Sequence, residues 1–265
     1  MTVVQDPVDP HARLSIGARV RRAAGMARSL AIYHAIPWRP AQLRRFYTPF
    51  VPPGGLAFDV GAHAGNRVRA WRALGARVVA IEPQPDFVRL LERLFGADES
   101  VVVLPIALGA APGHAPLLVS ERTPTVSTLS PDWASRAAAV TSFRRVRWST
   151  GPTVEVSTLD ALIARHGRPD FVKIDVEGME PQVLAGLSQP VPALSFEYLA
   201  PMRDLALACI DRLETLGRYR YDVSIGERLR LIQPGGLDAA GMRDWLAALA
   251  PDAPSGDIHA RWSRA

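Results

Sequence analysis

Apolar and polar positions fall into three rhythms along the chain. Residues 1–13, broken by Pro7 and Pro10, are short of core-forming side chains and read as disordered. Over 14–35, Leu14, Ile16, Val20, Ala24, Leu30 and Ile32 recur among Arg13, Arg19, Arg21, Arg22 and Arg28, the spacing of an amphipathic helix. Pro49, Pro52, Pro53, Gly54 and Gly55 mark a linker. From Leu56 the rhythm changes. Short apolar runs at 56–60, 78–82, 101–104, 171–175 and 193–197 alternate with helical periods at 66–74, 86–95, 180–187 and 202–216. Such alternation predicts an α/β fold, a doubly wound and mostly parallel sheet covered on both faces. Residues 219–225 and 228–232 then read as two strands turned at Gly226, an antiparallel hairpin, and 238–249 as a last helix. The stretch 110–150 interrupts the pattern with Pro112, Gly113, Pro116, Pro124 and Pro131. It holds a strand-like piece at 115–119, another follows at 153–157, and it reads as an insertion over the sheet edge and part of a substrate site. The expected division is a helical extension over 1–50 and one main domain over 51–265.

Composition narrows the class. With 265 residues, 48% hydrophobic and 22% charged, the chain suits one soluble α/β domain with decorations. A lone cysteine, Cys209, excludes an internal disulfide and a cysteine-rich zinc site. The net charge is +5, and of 31 basic residues a single one, Lys173, is lysine. No basic stripe interleaved with aromatics is present, so nucleic acid is not an expected partner. No run of 18 apolar residues predicts a spanning helix. Asp6 and Asp9 precede the basic segment and no apolar h-region follows, so no signal peptide is expected and the cytoplasm is the expected location. The basic helix packs on the core or lies on a membrane surface, and the sequence leaves both readings open.

Three motifs carry chemistry. Phe58-Asp59-Val60-Gly61-Ala62-His63-Ala64-Gly65-Asn66 is an apolar strand entering a glycine turn, with a helix starting at about Asn66. Gly61 and Gly65 admit a close ligand, and helix-initial amides offer donors, although tight turns need glycine in any case. Val78-Val79-Ala80-Ile81-Glu82-Pro83 ends in a carboxylate placed to accept hydrogen bonds from ribose hydroxyls. The plainer reading, Glu82 as a helix cap, fits Asp86 better. The turn is Gly-x-x-x-Gly with Asp59 before it, not the close glycine pair of dinucleotide sites. An acid there suits a cationic sulfonium better than a pyrophosphate, which favours S-adenosylmethionine over NAD. Third, Asp170-Phe171-Val172-Lys173-Ile174-Asp175-Val176-Glu177-Gly178-Met179-Glu180 is a strand ending in two acids. Buried acids cost free energy when unused, so they are site candidates, with helix capping as the alternative.

Together with Val156-Ser157-Thr158-Leu159-Asp160, these motifs over about residues 56–200 resemble the FkbM family of methyltransferases. The resemblance implies a class I methyltransferase (Rossmann-like) fold, normally of seven strands with the last antiparallel. It also implies S-adenosylmethionine as cofactor and a hydroxyl or carboxyl acceptor on a sugar, glycan, lipid or natural product. By position, the cofactor set is Asp59, Gly61, Ala62, Gly65, Asn66, Glu82, Pro83, Ile106 and Ala107. Asp59, Gly61 and Gly65 would line the methionine end, Glu82 the ribose, and Ile106 with Ala107 the adenine. Asp175 and Glu177 would face the transfer centre. His63 stands where the family often has Asn, as a cofactor contact, a base or a solvent-facing turn residue. Pro105 stands where a polar residue is common. Candidate bases for an alcohol are Asp175 first, then Glu177 and His63.

Other groups carry two readings. Glu197 lines the acceptor pocket or is a strand-end surface acid. Trp133, Trp148, Arg144, Arg145 and Arg147 grip a substrate or pack a loop. His166 and His259 show no ligand spacing, and no metal is predicted, although Asp175 and Glu177 have the chemistry for a hard divalent cation. The competing functions are an NAD-linked oxidoreductase on the same sheet and a non-enzymatic basic protein that binds membrane or nucleic acid through residues 13–45.

Overall fold

The computed structural model describes residues 38–120, 123–233 and 235–263, with the backbone alone at 142. The disordered stretch 1–13 and the basic helix 14–35 expected from sequence lie outside these residues. The main sheet has seven strands: β1 (Leu56–Val60), β2 (Arg77–Ile81), β3 (Val101–Leu104), β7 (Phe171–Ile174), β8 (Ala193–Tyr198), β9 (Tyr219–Ile225) and β10 (Gly256–Trp262). They lie in the order β3-β2-β1-β7-β8-β10-β9. Strands β3, β2, β1, β7 and β8 pair in parallel, and β10 runs antiparallel to both β8 and β9. This is the class I methyltransferase architecture.

The antiparallel partner of β9 is not where the sequence places it. Residues 228–232 form no strand; a single bridge joins Leu231 to Ser224, and Leu229 has a positive φ of 50°. The Asp222 carboxylate takes the amides of Ile232 and Gln233 at 3.1 and 2.7 Å; the Ile232 amide also donates to Val223 O at 3.0 Å, while that of Gln233 turns to the side chain, and pairing with β9 stops at this short contact. The true partner, β10, arrives only after a further helix, over 239–247.

Helices cover both faces. Side chains of one parity, Phe58, Val60, Val172, Ile174, Leu194 and Phe196, form a core with α5 (Leu159–His166), α6 (Glu180–Ala185), α7 (Arg203–Leu216) and α8 (Ala239–Ala247). The other parity, with Ala57, Val78, Ala80 and Phe171, packs against α1 (Arg39–Tyr47) and α2 (Asn66–Arg72), with Leu91 and Phe95 of α3 (Pro85–Phe95). On this second face a polar row crosses the sheet: Asp59 is registered with Lys173, Lys173 with Ser195, and Ser195 with His259. All four are buried. Phe46 and Phe50 lie against the His259 ring.

Helix α5 was not foreseen. Thr158 caps it, accepting from the Ala161 amide at 3.1 Å. The interrupting stretch forms its own three-stranded sheet, β4 (Ala107–Leu108), β6 (Ser149–Ser157) and β5 (Gly113–Val119), and carries α4 (Pro131–Ala138). It does not lie over the sheet edge as expected. Gln84, after β2, donates to Pro124 O at 3.0 Å, and Thr128 donates to Glu177 O, after β7, at 2.7 Å. Those two anchors set the stretch across the carboxyl ends of the strands.

Candidate active site

The chain winds from β1 toward β3 on one side and from β7 toward β8 on the other, so β1 and β7 flank the switch point where open α/β sheets bind ligands. A cleft opens there, with about 560 Å³ of atom-free space including open solvent. Gly61, His63, Glu82, Pro83, Ile106, Ala107, Asp175 and Glu177 line it, as do Gln84, Leu108, Leu117, Thr125, Ser127, Thr128, Leu129 and Met179. Of the predicted site residues, Asp59, Ala62, Gly65 and Asn66 are not in its wall. Pro105 is exposed and also outside the wall, so the substitution there does not touch the cleft.

Packing alone accounts for both glycines. A Cβ on Gly61 (φ +86°) would stand 2.0 Å from the Asp175 carbonyl oxygen, so glycine lets β1 and β7 close at the cleft floor. A Cβ on Gly65 (φ +74°) would stand 2.6 Å from the Phe95 ring. Asp59 lies beneath the turn, 1% exposed, and its Oδ2 has no hydrogen-bond partner among the described residues. Burial raises its carboxyl to about 7, against the pull of Arg67 and Lys173. An orphaned buried acceptor calls for a donor from outside the chain.

Glu82 is buried, and its oxygens accept from the His63 amide at 2.9 Å and the Gln84 amide at 2.8 Å. Burial, partly offset by these bonds, lifts its carboxyl to about 7. Glu82 lines the cleft, and each carboxylate oxygen has acceptor capacity beyond its one amide. Asp86 is not the cap of α3: the N-cap is Gln84, with no side-chain bond, and Asp86 pairs with Arg89 one turn on. His63, at φ 48°, packs on Phe87 with ring centroids 3.8 Å apart and planes tilted by 44°, which sets it on the Glu82 side of the cleft.

Opposite, Asp175, Glu177 and Glu197 bring carboxylate oxygens within 4.8 Å of one another. The loop that carries Asp175 and Glu177 is held by Glu180, whose oxygens accept from the Val176 and Gly178 amides, each at 3.0 Å, while Glu197 stands on β8. Neither Asp175 nor Glu177 caps α6; its N-cap is Met179, with no side-chain bond. Glu177 adopts φ 54°, and Gly178 (φ +93°) leaves room for Trp133, which a Cβ would meet at 2.3 Å. Burial and then the charges of Asp175 and Glu180 push the Glu177 carboxyl well up. Burial, then Glu177 and Asp175, do the same to Glu197. Asp175 is tied differently: its Oδ2 accepts from Lys173 Nζ at 3.0 Å. The trio has the donor chemistry of a hard cation, but an acidic cluster alone assigns none.

Glu197 is the acid whose role the sequence left undecided; it is half-buried and turned into the trio. Its one sequence signal is its place at the carboxyl end of the strand after β7. Trp133 is buried against Phe143 and Trp148, Trp148 donates to Val126 O at 2.8 Å, and Arg147 bonds the carbonyls of Arg144 and Val146, so these residues pack the loop. His259 lies in the core, 3.0 Å from Ser224 Oγ. No helix among the described residues is long and apolar enough to cross a membrane.

A family model described as the methyltransferase FkbM domain matches residues 59–204, more than half of the chain. No curated protein matches the sequence. Similar solved structures include a TehB-like SAM-dependent methyltransferase from Corynebacterium glutamicum, at 10% identity, covering 93% of this chain and 100% of that one, TM-score 0.45. Another is an O-methyltransferase from Bacillus cereus in complex with SAH, at 10% identity, covering 96% and 93%, TM-score 0.42. A third is precorrin-6y C5,15-methyltransferase from Geobacter metallireducens, at 15% identity, covering 85% and 87%, TM-score 0.42.

Proposed function

The chain belongs to the FkbM methyltransferase family, and from that premise we propose that it is an S-adenosylmethionine-dependent O-methyltransferase acting on a hydroxyl of a sugar, glycan, lipid or natural product. The observation that carries the reading is the pair of carboxylates Asp175 and Glu177 across the cleft from Glu82, backed by Glu197, which lies within 4.8 Å of them and outside the cleft wall. In this reading Asp59 and the Gly61–Gly65 turn hold the methionine end, Glu82 and Pro83 the ribose, and Ile106, Ala107 and Leu108 the base. Ala62 and Asn66 support the turn from behind. The unsatisfied Asp59 oxygen fits a bound ammonium. The cofactor supplies an electrophilic sulfonium methyl.

The chain's own residues do the rest. An attacking hydroxyl must be aligned with that methyl, and alignment is worth roughly 7–11 kcal/mol in favourable cases. Asp175 orients the hydroxyl. Glu177 and Glu197, whose carboxyls burial and neighbouring acids push up, are the bases beside it, and the ionised one takes the hydroxyl proton. His63, stacked beside Glu82, lines the cofactor side. Three acids repel an anionic acceptor, which favours a hydroxyl over a carboxylate. The stretch 123–129 shapes the acceptor end, and any membrane contact is peripheral.

Calorimetry and thermal shift test the reading. S-Adenosylhomocysteine should bind and, at about 100 times its Kd, stabilise the protein by about 2.7 kcal/mol, while NADH does neither. Folded protein with no affinity for the methyl donor or its product would end it. Glu177→Gln should keep that affinity and lower turnover of an alcohol by roughly 10²-fold or more.

A further inference from the structure

Of 31 basic residues in the sequence, one is lysine, and it is the only Lys or Arg buried among the described residues. Lys173 donates from Nζ to Asp257 Oδ1 at 2.9 Å and to Asp175 Oδ2 at 3.0 Å. Strand β8 separates β7 from β10, so the bridge to Asp257 spans β8. Ser195, the registered neighbour of Lys173 on β8, is small enough to leave room for the crossing. An ammonium is compact and has three donors, whereas a guanidinium is a broad planar fork. A chain that uses arginine at its other basic positions keeps lysine where a point charge must fit between two carboxylates. The bridge runs outward: the Lys173 side chain is 1% exposed, that of Asp257 16% and that of Asp175 32%. Of the two Asp175 oxygens, Oδ2 is the one that takes the lysine. Asp257 lies outside the stretch 59–204 that the family model matches.

We propose that Lys173 and Asp257 are positioning residues that act through Asp175. The shared ammonium pins one Asp175 oxygen and leaves the other to the cleft. One cation divided between two carboxylates also leaves the trio a net negative charge, which favours a cationic methyl donor over its neutral product. The inference rests on the methyltransferase reading, and it gives the site a reason to release product after transfer.

The sole lysine makes the test direct. Protein labelled with ¹⁵N and ¹³C in lysine alone, with a lysine-free tag, shows one ammonium resonance. In the bridge it should persist and resist titration beyond about 10.4, where free lysine titrates. Asp175→Asn, at the outer end, should shift it and bring its titration down; Asp257→Asn should do the same. A resonance that behaves as free lysine, or that ignores Asp175→Asn, overturns the bridge. Calorimetry with S-adenosylmethionine and S-adenosylhomocysteine reads the charge. Asp257→Asn should reduce the preference for the cationic ligand by about tenfold, a shift of about 1.4 kcal/mol, with affinity for the neutral one within about twofold. A purely structural role would weaken both alike, and that outcome overturns the proposal. Should Asp257→Asn fail to fold, Asp175→Asn must show the same loss of preference, and an unchanged preference there is equally fatal. Wild-type protein that binds neither ligand sinks the assigned function instead, and the lysine resonance still decides the bridge.

Discussion

Two acids and a glycine show how far single residues reach. Asp59 and Glu82 both have carboxyls raised to about 7 by burial. Below that pH they hold protons, yet a cationic ligand needs the ionised form and a ribose hydroxyl bonds it more strongly, so protons compete with the cofactor. Affinity for S-adenosylmethionine should therefore fall as pH drops from 8 to 6, by up to about tenfold per unit and per group below its pKa. Calorimetry at three pH values checks this, and Asp59→Asn should flatten the profile. Gly178 works sterically: Gly178→Ala adds a Cβ at positive φ into the Trp133 ring. That should cost about 1–3 kcal/mol, read as a lower urea midpoint. The sequence exposed Glu82 and Asp175 as candidates because each ends an apolar strand. It could not expose Glu180 as the clamp on the Val176 and Gly178 amides, or the Lys173–Asp257 contact, since these depend on loop conformation and on partners 84 positions apart.

At the level of elements, local rhythm located most strands within a residue or two and failed where pairing is non-local. Strand β10 reads Gly-Asp-Ile-His-Ala-Arg-Trp, which looks solvated because Asp257 and His259 are charged or polar. In fact His259 is buried against Phe46 and Phe50 and Asp257 pairs with Lys173, and burial depresses the His259 imidazole to about 4. The 228–232 run alternates more cleanly and still forms no strand: Leu229 turns to a positive φ, and beyond the bridge at Leu231 the Gln233 amide goes to the Asp222 carboxylate instead of a ladder. Being central between β8 and β9, β10 is not a dispensable tail. Removing residues 256–265 should unpair β9 and abolish the near-ultraviolet circular dichroism of the folded chain. A truncated protein with a native-like spectrum would contradict this pairing.

The molecule as a whole packs two apolar layers on one sheet, with a polar row enclosed in the second layer. Alternating β and α segments made that sandwich readable before any coordinates. Nothing in a linear pattern says that Asp59, Lys173, Ser195 and His259 share one row, since register is a property of the assembled sheet. The seclusion of Lys173 reaches beyond the cleft. A protease that hydrolyses only after lysine finds a single bond in these 265 residues, Lys173–Ile174, enclosed between β1 and β8. Digestion by such an enzyme becomes a counter of whole-chain opening: one cut, two fragments, at a rate set by the unfolded population when reclosing outpaces hydrolysis. Any ligand that tightens the fold should lengthen the life of the intact band in proportion.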